Sequence, residues 1–76
     1  MIIEPDEVRK VCHNMLTHKP LETNVFMEAC YLLSSIESGL QCYEYYHRED
    51  NAEKVKEYEN TLPERIARLT LLIHNN

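Results

Sequence analysis

An all-α domain is expected, a small hairpin or bundle of three to four helices around one long central helix, and three observations carry that expectation. From Val25 to His47 (VFMEACYLLSSIESGLQCYEYYH) there is no proline and a single glycine, and Phe26, Ala29, Leu33, Ile36, Leu40, Tyr43 and His47 recur at steps of three and four. That spacing lays them along one side of a helix roughly 35 Å long. A second series with the same spacing, Ala52, Val55, Tyr58, Leu62, Ile66, Leu69 and Ile73, occupies the C-terminal part of the chain. Strand alternation is absent throughout.

The first helix is predicted over residues 6–18. Pro5 suits a first turn, where its missing N–H costs nothing, and Asp6 and Glu7 favour the positive end of the helix dipole. Val8, Val11, Cys12, Met15 and Leu16 form its apolar stripe. His18 and Lys19 suit the last turn, and Pro20 stops the segment. The link from Lys19 to Asn24 is short, which favours an antiparallel neighbour.

The long helix is predicted over 23–48, with Thr23 or Asn24 capping it and Val25, Leu32 and Tyr46 widening its buried face. It fades where polar residues cluster near Arg48–Asn51. Beyond that, Thr61-Leu62-Pro63-Glu64 reads as a capping box. A proline inside a helix costs about 3 kcal/mol or more, so a break near Asn60–Thr61 is expected, with helices over 51–60 and 62–74. One kinked helix is the alternative. No repeat, linker or low-complexity tract divides the chain, so residues 1–76 are expected to form a single domain.

Seventy-six residues lie near the lower limit for a self-sufficient core, which makes self-association or a protein partner an expectation. The net charge of −5 is concentrated between residues 25 and 50, where five acids face one base. A binder of nucleic-acid backbone needs a basic face, so direct nucleic-acid binding is not expected. The N-terminal Met1-Ile2-Ile3-Glu4-Pro5 does not resemble a signal peptide, and no apolar run approaches a membrane span. The three cysteines cannot all pair within one chain, so reduced thiols in a cytoplasmic compartment are expected.

Catalytic and metal-binding patterns do not emerge. His13, His18, His47 and His74, with Cys12, Cys30 and Cys42, lack the close ligand pairs of a structural zinc site. Glu44-Tyr45-Tyr46-His47 matches one half of a di-metal carboxylate motif, but no second Glu-x-x-His follows. Ser34, Ser35 and Ser38 lie on a helix without a strained elbow, and Gly39, the only glycine, cannot build a phosphate-cradling loop. Neither an enzyme nor a bound metal or cofactor is expected.

The informative oddity is the far side of the long helix. At about 100° per residue, Met27, Tyr31, Ser34, Ser38, Cys42 and Tyr45 cluster opposite the main seam. Helix backs that face only water are usually charged, whereas tyrosine and methionine are favoured at protein interfaces. Three arrangements fit: a central helix enclosed on both sides by its neighbours, a surface for a partner or a second copy, or a face that is simply solvated. Gly39 lies beside the seam, and a mid-helix glycine costs about 1 kcal/mol relative to alanine, so it is expected to admit a neighbouring helix at close quarters, with contact from a partner's side chain as the alternative.

The function expected is that of a small protein-interaction module, an adaptor, chaperone-like partner or regulator, acting by stoichiometric binding through helix surfaces. The candidate partner-binding residues are Met27, Tyr31, Ser34, Ser38, Cys42 and Tyr45, with Glu44, Glu49 and Asp50 as acidic groups. The alternative is a phage- or mobile-element-type inhibitor that sets its acidic central helix against a basic groove on a host enzyme or nucleic-acid-binding complex.

Overall fold

Among the described residues, three helices form one bundle: α1 (Pro5–Thr17), α2 (Thr23–Arg48) and α3 (Ala52–His74). The computed structural model describes residues 3–76; Met1 and Ile2, part of the N-terminal stretch compared above with a signal peptide, lie outside the described residues. The helix α2 is central, touching both others and packing most extensively on α3. The bundle measures 41 × 18 × 17 Å, and its long dimension is the length of α2, about 39 Å at 1.5 Å per residue.

The ends of α1 and α2 depart from expectation by a residue or two, for a shared reason. Each helix begins after an extended glutamate whose carbonyl accepts the first helical bond, Val8 N–H to Glu4 O at 3.0 Å and Phe26 N–H to Glu22 O at 2.8 Å. Thr23 is therefore already helical and caps nothing, and Asn24 lies inside the first turn. At the other end of α1, Thr17 is the last helical residue and His18 is the C-cap, so no basic residue stands in the last turn.

The α2–α3 corner is built by two devices in succession. The N–H of Asp50 donates to His47 O and that of Asn51 to Tyr46 O, at 3.2 and 3.0 Å. This is a Schellman closure, and it requires a left-handed residue at Asp50, whose φ is 54°. Asn51 then caps α3, its Oδ1 accepting the Lys54 N–H at 3.2 Å.

Beyond this corner the expected four segments reduce to three. Helix α3 runs unbroken from Ala52 to His74 with Pro63 inside it, and Thr61 does not cap a new helix. Its hydroxyl is buried and has no hydrogen-bond partner. The reason is tertiary. Tyr58, Leu62, Ile66, Leu69 and Ile73 all pack into the core, and only a continuous helix keeps residues on both sides of the proline on that one face.

The core consists of Ile3, Cys12, Ala29, Ile36, Leu40, Tyr43, Leu62, Leu69 and Ile73. The predicted α2 seam holds in its middle and opens at its ends: Phe26 and His47, one near each end of the helix, are exposed. Gly39 is buried, and a Cβ there would lie 2.7 Å from both Leu62 Cδ2 and Arg65 Nη1. The glycine thus admits α3 at close quarters, and Arg65 Nη1 uses the approach to donate to Ser35 O at 2.8 Å.

Candidate interaction surface

Helix α1 lies antiparallel to α2 and is tied to it by one guanidinium. Arg9 Nε donates to Glu37 Oε2 at 2.8 Å and Oε1 at 3.1 Å, Nη2 to Glu44 Oε1 at 2.7 Å, and Nη1 to Asp6 Oδ1 at 3.1 Å. Gln41 Nε2 adds a bond to Glu37 Oε1 at 3.2 Å. A planar guanidinium serves several carboxylates with directed bonds, which suits it to join two helices. Chiefly through its bond to Arg9, the Glu37 carboxyl is held below its usual range, and the Arg9 pKa is raised by the two α2 carboxylates. Glu44, expected as an acidic contact for a partner, is thereby committed within the chain.

On the opposite flank of α2, aromatic side chains join it to α3. The Tyr46 ring stacks on Tyr58 at 6.0 Å, and Tyr45 meets Tyr46 edge-on at 5.2 Å. The Tyr58 hydroxyl is raised in pKa first by the Cys42 side chain beside it and then by burial. Cys42 is half-buried and turned towards α3, so it leaves the outer stripe to which the helical wheel assigned it. Tyr43, 2 % exposed, closes the end of the core near Ile3. Its hydroxyl donates to Glu59 Oε2 at 3.3 Å, and its ring meets His47 edge-on.

The rest of the predicted stripe lies on the surface. Met27 is 65 % exposed, Tyr31 76 % and Tyr45 49 %, and Ser34 and Ser38 between them are exposed as well. The arrangement in which neighbouring helices enclose α2 on both sides is thus overturned: α1 and α3 pack on its other half. Tyr31 and Tyr45 are fourteen residues apart, about 21 Å along the axis. Gln41, exposed between Ser38 and Tyr45 at the same spacing, belongs to the stripe although it was not among the candidates. Glu49 and Asp50 are exposed at the α2–α3 corner. Leu71 on α3 and Val11 on α1, 59 % and 52 % exposed, are further surface apolar residues. They lay within apolar runs whose burial depended on helix rotation, so nothing in the sequence set them apart.

Among the described residues, no three His, Cys, Asp or Glu side chains gather as a metal ion would require. Burial pushes the Cys12 thiol up, away from the reactive thiolate. No helix among the described residues is long and apolar enough to cross a membrane. Comparison of the chain with protein-family models, with curated proteins and with solved structures finds no match.

Proposed function

We infer that the protein acts by stoichiometric, non-catalytic binding to a protein, and that the outer face of α2 is the surface it uses. The observation that carries this reading is the exposure of Met27, Tyr31 and Tyr45 along one line of a helix whose other half is packed. Exposed tyrosine and methionine with small residues between them form a shallow track with anchors at either end, the shape a partner helix fits. The test is capture by the whole chain, with binding to the wild type compared with binding to the Tyr31→Ala/Tyr45→Ala variant. A partner lost at least about tenfold by a variant that keeps its circular dichroism supports the reading. A partner retained by that variant overturns it.

The reading as an acidic inhibitor has less support. Glu37 and Glu44, two of the five acids between residues 25 and 50, are engaged by Arg9. Their charge is partly neutralised within the chain, which leaves less field to steer a basic partner.

A further inference from the structure

We propose that the partner on the outer face of α2 is a second copy of this chain, packed antiparallel about a two-fold axis that passes beside residue 36. This rests on the reading of that face as a protein-binding surface and goes on to name the occupant.

The register of the stripe carries the proposal. Met27, Tyr31, Ser34, Ser38, Gln41 and Tyr45 alternate by four and three, the spacing of a helix-pairing seam. When two such seams run antiparallel about residue 36, Met27 of each copy meets Tyr45 of the other, Tyr31 meets Gln41, and Ser34 meets Ser38. Small residues thus oppose each other at the crossing point, where axes come within about 8 Å. Where crossed helices splay apart, large side chains fill the widening gap, and a thioether there meets an aromatic ring. The stripe therefore complements itself in this one direction. Because α1 and α3 pack on the other half of α2, neither stands in the way.

Dipole orientation favours the antiparallel direction. In the antiparallel register the two helix dipoles oppose each other, and the exposed Arg48 and Glu49 of each copy lie opposite Asn24 and Thr23 of the other. A parallel pair would instead align the two helix dipoles and set Glu49 against Glu49. The area is adequate for a reversible dimer. A large side chain of this kind offers about 150–250 Å², so at their observed exposures Met27, Tyr31 and Tyr45 contribute roughly 300–475 Å² per copy when fully covered. Together with the intervening residues the pair buries roughly 1,200 Å² in total, the lower edge of stable interfaces.

Sedimentation equilibrium of the full chain tests this, with two exposed positions as probes. The wild type is expected to dimerise reversibly in the micromolar range, about 1–100 µM. Ser38→Glu, which places a charge at the closest approach, should raise the dissociation constant at least about tenfold. Adding Ser34→Lys should return it to within about threefold of wild type, because the lysine introduced in each copy then faces the glutamate introduced in the other. In a parallel dimer lysine would face lysine and glutamate glutamate, so recovery would be limited to what the i, i+4 pair within each helix supplies and would fall short of that range. Circular dichroism checks that all three chains keep their helix content. A wild type that stays monomeric at about 1 mM overturns the proposal, as does a dimer that ignores Ser38→Glu or is not rescued by the pair. Capture of a different protein that depends on Tyr31 and Tyr45 would in that case uphold the binding face without the homodimer.

Discussion

Gly39 of α2 faces Leu62 of α3 so closely that a Cβ at position 39 would stand 2.7 Å from the Leu62 Cδ2 methyl. Leu62 is fully buried, so it cannot swing aside into solvent. The Arg65 guanidinium, equally near, can move, but only by giving up its bond to Ser35 O. Alanine at position 39 would gain about 1 kcal/mol in helix propensity and meet overpacking of about 1–3 kcal/mol. Gly39→Ala is therefore expected to destabilise by about 1 kcal/mol, and Gly39→Val by more. Urea unfolding measures both; a stabilised Gly39→Ala would mean that the α2–α3 contact is looser than it stands here.

The continuity of α3 leads to the opposite sign at Pro63. Its ring removes one helical hydrogen bond and crowds the Glu59 carbonyl, so Pro63→Ala should stabilise the chain by about 1–3 kcal/mol. Thr61, whose buried hydroxyl lacks a partner, should tolerate the isosteric Thr61→Val with a gain of up to about 1 kcal/mol. Thermal melts of the two variants decide between a continuous helix and a capped break. A loss of about 1 kcal/mol in Thr61→Val, the signature of a missing cap, would restore the break.

Pro63 also shows where local sequence stops being informative. Thr61-x-x-Glu64 with a proline between is a sound start signal, and it is overruled only because Leu62 must reach Gly39 while Leu69 and Ile73 remain on the same face. The span of α2 was legible, since a long 3–4 periodicity ends where the polar corner begins. Gly39 was legible as a close approach, because its helix-propensity cost called for compensation. The partners of Arg9 were not: which carboxylates a guanidinium reaches depends on how two helices cross, and α2 offers Glu37 and Glu44 on one flank alongside other acids. Cys42 was misplaced for a related reason. A helical wheel gives its direction to within a flank, and α3 happens to cover that flank.

The Arg9 cluster predicts an acid limb to stability. The folded-state pKa of Glu37 lies below its usual value, which is about 4.3, so at low pH the unfolded chain takes up its proton first. The resulting stability is fully present above the unfolded pKa and is lost as pH falls through the lower folded value. Both partners are partly solvated, which limits the contribution to about 1 kcal/mol. Glu37→Gln should lower stability by about that amount at pH 7 and flatten the loss between about pH 5 and 3. Melting temperatures across that range for wild type and variant check it; identical slopes would show that the ion pair contributes nothing.

The tyrosines divide into those that hold the fold and those that do not, and the last prediction rests on that division. Tyr43 is 2 % exposed and Tyr31 76 %, so Tyr43→Ala should cost about 3–5 kcal/mol and leave a chain of this size largely unfolded. Tyr31→Ala should stay within about 0.5 kcal/mol of wild type. Tyr45 stands between them, because its ring edge rests on Tyr46, and should lose about 0.5–1.5 kcal/mol when truncated. Alkaline pH supplies a second readout. Burial first, and then the neighbouring carboxylates, raise the Tyr43 phenol above its usual value, which is about 10. The protonated phenol is thus favoured in the folded state, and the stability it contributes is present below the unfolded pKa and lost as pH rises through the folded one. Tyr43→Phe, which forfeits the bond to Glu59 at about 1 kcal/mol, should therefore melt lower at pH 7 but lose less stability above about pH 10 than the wild type. Equal alkaline slopes would mean that the Tyr43 hydroxyl meets solvent, and that this end of the core is open.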